Sequence, residues 1–188
     1  MSENTDQTRR QLLLGGLAAT AAGGALAQAP GALPATSTTD RIPMVIPRTE
    51  FVYEAICDLE PSLDLGMSPF GPRFMVPIKG GTFEGPGLRG RVLPGGADRQ
   101  LQRRDGGKAL DATYELQTHD GAVLSIRNRV LTRPVKGDEK GGRYARSTID
   151  ITAPEGPYGW LNDYVYVGTL DSLRPARMAV VIRVYRVV

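Results

Sequence analysis

The sequence predicts an all-β protein, a single closed antiparallel β-barrel of roughly 8–10 strands. Three observations carry that expectation. After Glu50 the chain breaks into short runs rich in Val, Ile, Tyr and Thr, separated by Gly, Pro and Asp-Gly punctuation, the spacing expected of a barrel or sandwich. No stretch in this region holds a helical period without a breaker. Within the clearest runs, alternate residues divide into apolar and polar sets, as strands with one buried face require.

The elements follow in chain order. Residues 1–27 read as an export signal, not as part of the fold: Thr8-Arg9-Arg10-Gln11-Leu12-Leu13 resembles the twin-arginine signature, a Gly/Ala-rich apolar run extends to Ala27, and Ala25-Leu26-Ala27 has the small-x-small cleavage pattern. That run is shorter than the roughly 20 residues a membrane span needs. A periplasmic or secreted protein is expected, with no membrane association once the signal is removed. Residues 28–49 are rich in Pro, Ala and Thr and read as a linker, with Met44, Val45 and Ile46 packing onto the domain. Residues 50–188 form the barrel domain.

Candidate strands run from Phe51 to Leu59, Arg73 to Lys79, Thr82 to Leu93, Ala97 to Arg104, Lys108 to Thr118, Ala122 to Leu131, Arg143 to Ala153, Tyr158 to Gly168 and Arg177 to Val187. The third is interrupted by glycines. Asp105-Gly106 and Asp120-Gly121 are dipeptides of two-residue type I′ turns, which makes Ala97 to Leu131 a three-stranded meander. Leu110, Ala112, Tyr114 and Leu116 face one way, with Asp111, Thr113, Glu115 and Gln117 opposed to them. Asn128 falls on the apolar face with Leu124 and Ile126, where a buried amide needs a partner in a neighbouring strand or a ligand.

Composition narrows the function. The 188 residues carry 23 basic and 20 acidic side chains, a net charge of +3 that removal of the signal leaves unchanged. Those charges are dispersed, without the basic stripe that nucleic-acid binding requires. Cys57 is the only cysteine, so no intrachain disulfide forms, and it reads as a small buried hydrophobe. His119 is the only histidine and precedes a turn. Metal sites and Ser-His-Asp or Cys-His chemistry would all depend on that one residue, and no G-x-S-x-G elbow is present. No metal and no cofactor is expected.

Gly85, Gly87 and Gly90 match the G-x-G-x-x-G spacing of dinucleotide loops. The continuation Arg91-Val92-Leu93-Pro94-Gly95-Gly96 cannot open the helix whose N-terminus would hold the phosphates. Glycines in a β pattern mark bends and close backbone approaches instead. The candidate ligand-binding residues are therefore polar or aromatic groups near such bends: Glu84, Arg91, Asp98, Asp111, Tyr114, Asn128, Arg146, Trp160 and Asn162. A carboxylate in a dry cavity would have a raised pKa and could act as general acid or base.

The blocks "PIKGGTFEGPGLRGRVLPGGADRQ", "LDATYELQTHDG", "YGWLNDYVYVGT" and "VVIRVYRV" occur in that order and cover most of Phe51 to Val187. In these blocks the chain resembles domain of unknown function family 3237, small bacterial and fungal β-barrel proteins. The resemblance implies a closed antiparallel barrel and no particular activity. Members often carry Trp after the Asp of the first block, where Arg99 stands here. The Tyr-x-Arg element is kept as Tyr144-Ala145-Arg146, but Ile149 and Ile151 follow in place of a Phe-containing segment.

Three readings of function remain open. One is binding of a small, mostly apolar molecule in the barrel or at its mouth. Another is a cofactor-independent lyase or isomerase that moves a proton between a carboxylate and Tyr114 or Arg146. A structural role through homo-oligomerisation is the third.

Overall fold

The computed structural model describes residues 42–136 and 142–188. The signal expected over 1–27 and most of the linker lie outside them. Met44, Val45 and Ile46 are exposed, contrary to the packing expected of them.

The described residues form ten strands: β1 (Thr49–Leu59), β2 (Leu63–Ser68), β3 (Gly71–Gly85), β4 (Leu88–Val92), β5 (Ala97–Gln102), β6 (Lys108–Thr118), β7 (Val123–Arg133), β8 (Tyr144–Thr152), β9 (Tyr166–Ser172) and β10 (Ala179–Val187). All pairings are antiparallel. The sheet runs β1-β10-β9-β8-β7-β6-β4-β3 and closes through β1 pairing with β3. Both β4 and β5 lie between β3 and β6, β4 against the late half of β3 and β5 against its early half. They are one stave interrupted at Pro94-Gly95-Gly96, so the closed wall has eight staves and β2 is a flap on the start of β3.

The inside is built by the expected alternation. Leu110, Ala112, Tyr114 and Leu116 of β6 and Leu124, Ile126 and Asn128 of β7 are buried, and their neighbours lie on the outer face. The β5-β6-β7 meander is also present. Its turns differ from the type I′ expectation. Gly106 N–H donates to Arg103 O and Arg103 N–H to Gly107 O, and the second turn repeats this with Gly121, Thr118 and Ala122. Each is a three-residue loop whose glycine follows the β-turn at positive φ, 81° and 95°, the alternative hairpin solution that also needs glycine.

The glycines of the false dinucleotide motif are mechanical. Pro86-Gly87 is the two-residue loop joining β3 to β4. A Cβ on Gly85 would strike the Val52 carbonyl, and one on Gly90 would strike that of Gln117. Only glycine lets these backbones approach, at the β1-β3 closing seam for Gly85 and between β4 and β6 for Gly90.

One end of the barrel is plugged. The segment expected as a strand from Tyr158 is instead a one-turn 3-10 helix, Gly159–Asp163, and β9 begins only at Tyr166. Leu161 is fully buried by this turn among core residues that include Leu116, Leu124 and Tyr166. The Tyr166 hydroxyl donates to Leu161 O at 2.9 Å, and Tyr158 donates to Asp120 at 3.0 Å. Asn162 accepts from Ala153 N–H and donates to Ala153 O, which fastens the turn to the end of β8.

Candidate functional site

The opposite half of the barrel encloses a cavity of about 270 Å³, at the lower end of small-molecule sites. Register places its lining in rows. One row crosses the wall as Val76, Asp98, Ala112, Asn128 and Ile149 on successive strands. Asp98 and Asn128 thus flank Ala112, two strand spacings or about 10 Å apart, and the small Ala112 leaves the space between them open. Tyr114 and Cys57 lie further in. Towards the mouth come Gln100, Leu110 and Val130, then Lys108 and Thr132.

The polar groups of this half are underused. Asn128 is 1% exposed, and neither its Oδ1 nor its Nδ2 has a hydrogen-bond partner. Asp98 Oδ2 accepts from Gln100 Nε2 at 2.6 Å, while Asp98 Oδ1 has no partner. Leaving a buried polar atom unpaired costs about 1–3 kcal/mol, so the row keeps hydrogen-bonding capacity directed at whatever enters. Tyr53 and Tyr114 lie close enough to perturb each other's ionisation, yet neither hydroxyl has a partner of good geometry.

Burial separates the titratable groups by role. Asp98 is raised from the ordinary carboxylate range mainly by burial, against the opposing hydrogen bond from Gln100. Burial pushes the Cys57 thiol up to about 12, with the neighbouring Asp58 adding to the shift, and it drives the Tyr53 and Tyr114 phenols well upward. Cys57, Tyr53 and Tyr114 therefore stay protonated at neutral pH. Asp98 is the carboxyl of this lining whose hold on its proton is strengthened by burial.

Of the nine residues expected to line a site, the fold brings together Asp98, Tyr114 and Asn128. Glu84, Arg91, Asp111 and Arg146 are on the outer wall. Arg91 donates to Gln117 Oε1, Asp111 is ion-paired with Arg127 at 2.8 Å, and the Arg146 guanidinium lies over the Tyr144 ring. Trp160 and Asn162 belong to the plug: the Arg186 guanidinium lies 5.7 Å from the Trp160 ring centroid, and the Asn162 side chain is spent on Ala153 and Gly159. Gln100, Lys108 and Thr132 are not among those nine, although the alternation that places Asn128 inside also puts Lys108 with Leu110 and Thr132 with Asn128 on the inner face. Among the described residues no cluster of His, Cys, Asp and Glu is arranged to hold a metal ion.

An eight-stave antiparallel barrel, plugged at one end and carrying a polar row in a cavity at the other, defines a small closed β-barrel protein. The chain belongs to the family described as "Protein of unknown function (DUF3237)", whose profile matches residues 47–187. A UPF0311 protein of Rhodopseudomonas palustris is 31% identical over 131 residues, 64% of this chain and 86% of that protein. A β-barrel-like protein of Acinetobacter baumannii AYE superposes with a TM-score of 0.69 at 30% identity, covering 78% of this chain and 99% of that one. More distantly, a hydroalkoxylation enzyme of Penicillium herquei is 26% identical over 127 residues, 68% of this chain and 76% of that protein.

Proposed function

We propose that this protein is exported and binds one small, mostly apolar molecule inside the barrel, with its polar contacts made by Asp98 and Asn128. The carrying observation is the row Asp98-Ala112-Asn128, whose unpartnered oxygen and amide atoms lie in a cavity lined at that depth by Val76, Ile78, Val180 and Ile182. Asn128→Leu, which keeps the volume and removes the amide, is expected to lower affinity for a bound ligand by roughly tenfold, the value of one or two buried hydrogen bonds. Binding by Asn128→Leu equal to wild type contradicts the assignment. Export is tested separately: replacing Arg9 and Arg10 with Lys should leave the precursor in the cytoplasm, and unimpaired export would exclude the twin-arginine route.

A second reading, proton transfer by Asp98, is favoured by its burial beside the cavity and the upward shift that burial causes. The distant relative named as a hydroalkoxylation enzyme supports this direction. Hydroalkoxylation adds an O–H bond across a carbon–carbon double bond, and its needs are a proton donor and a positioned hydroxyl. Here a protonated Asp98 would give its proton to an alkene carbon while Asn128 held the attacking hydroxyl, and the proton released from that hydroxyl would restore Asp98. Turnover surviving undiminished in Asp98→Asn excludes this role, whereas loss of turnover with binding retained supports it.

A further inference from the structure

The rim of the cavity has a chemistry distinct from its interior. Lys108 opens β6, Arg143 immediately precedes β8 and Arg174 follows β9, so three separate chain crossings deliver a cation to the same end of the barrel, and all three line the cavity. Among the described residues Asp98 is the only carboxylate in that lining. It pairs with Ala112, four residues along β6 from Lys108, which places it about 13 Å further in.

On the outer wall Arg127 is neutralised by Asp111, Arg129 by Asp150, Arg183 by Glu54 and Asp171, and Arg186 by Glu50, while Arg91 and Arg146 rest on the neutral Gln117 and Tyr144. None of the rim cations forms an ion pair with a described residue. The Lys108 ammonium is instead held 5.9 Å from the centroid of the Phe74 ring, which fixes its position while leaving its charge available. Cations gathered at the neck of a low-dielectric pocket focus their field on the opening.

We propose that the ligand is an amphipathic anion, with its carboxylate held at the rim by Lys108, Arg143 and Arg174 and its neutral body in the barrel. The proposal rests on the reading of the barrel as a binding cavity and adds the ligand's charge and orientation. The span of about 13 Å from rim to the Asp98-Asn128 row, less the reach of a flexible cationic side chain, suits a body of about seven to ten atoms in line. An acyl chain and an aryl-alkyl group share this chemistry.

Calorimetric titration of the full chain with two matched pairs tests it: octanoate against octanamide, and 4-phenylbutyrate against 4-phenylbutanamide. The acid of at least one pair should bind roughly tenfold more tightly than its amide, as three partly screened charge contacts allow. That preference should shrink at 0.5 M salt, to which about 4 Å of screening length corresponds. In Lys108→Met/Arg143→Gln/Arg174→Gln it should fall to within about twofold while amide binding is kept, so that the rim and not the cavity accounts for it. Whichever pair shows the preference identifies the body as acyl or aryl. Equal binding of acid and amide in wild type, or a preference that survives in the triple variant, overturns the anion proposal and leaves the cavity reading intact. Binding of none of the four probes overturns both, and so does binding that Ala112→Phe leaves unchanged in a chain whose circular dichroism is native.

Discussion

Asp98 is the residue whose environment has the clearest measurable consequence. Its carboxyl is raised above its unfolded value, so the folded state holds this proton more tightly than the unfolded chain does. The stability linked to it is present at low pH and is lost as pH rises from the ordinary carboxylate range through the raised value. Asp58 and Asp111, lowered mainly by Arg177 and Arg127, act in the opposite sense and lose their contribution as pH falls. The difference between wild type and Asp98→Asn isolates the first effect. Urea midpoints of the two should converge in acid and diverge at neutral pH, with Asp98→Asn the more stable; a wild type that is more stable at neutral pH contradicts the burial argument. Cys57 offers a second check, because a thiol pushed up to about 12 and 1% exposed should react with iodoacetamide at least tenfold more slowly in the native chain than in urea. Asn128 was legible because single-strand alternation fixes a face, and Asp98 because it follows the Pro94-Gly95-Gly96 bend. Nearness to a bend does not fix a face, and Glu84 points outward because Gly80-Gly81 switches the inward parity of β3, from Val76 and Ile78 before it to Phe83 after it. Asp111 had been put on the wet face by alternation and stands there, paired with Arg127.

At the scale of elements, the strands that repeat cleanly were read closely, and β6 was found at its observed limits, Lys108–Thr118. The flap β2 was missed since Leu63–Ser68 has no buried face to impose an alternation. Tyr158-Gly-Trp-Leu-Asn carries strand-forming residues, but the segment has to turn into the barrel end, and tertiary burial of Leu161 decides its form. That plug makes a stability prediction. Leu161→Ala empties a fully buried site and should cost about 2–5 kcal/mol in urea unfolding; Asn162→Ala frees both backbone groups of Ala153 and should cost about 1–3 kcal/mol. A loss below about 0.5 kcal/mol in both, the range of ordinary surface changes, would mean that the 3-10 turn does not hold this end shut. The cations of the rim could not be read from sequence, because Lys108, Arg143 and Arg174 become neighbours only when the barrel closes.

For the whole molecule, closure explains the unequal ends. Eight staves enclose a space that side chains just fill. Large residues such as Tyr53, Phe83, Leu88 and Leu116 fill one half, and the smaller Ala112, Val76 and Val180 leave the other hollow. The outer wall also carries the exposed Leu63, Leu65, Met67 and Phe70 around the β2 flap, where the homo-oligomer reading, as a proposal, can be tested. Sizing across a dilution series should show self-association that Phe70→Asp weakens, and a strict monomer at all concentrations counts against it. The central claim is that the hollow half holds a ligand between Asp98 and Asn128. Native mass spectrometry of the chain purified from its own cells, beside Ala112→Phe prepared identically, tests it most directly. Wild type should carry a single small-molecule adduct and a folded Ala112→Phe none; an adduct of equal abundance in both, or in neither, would contradict the account.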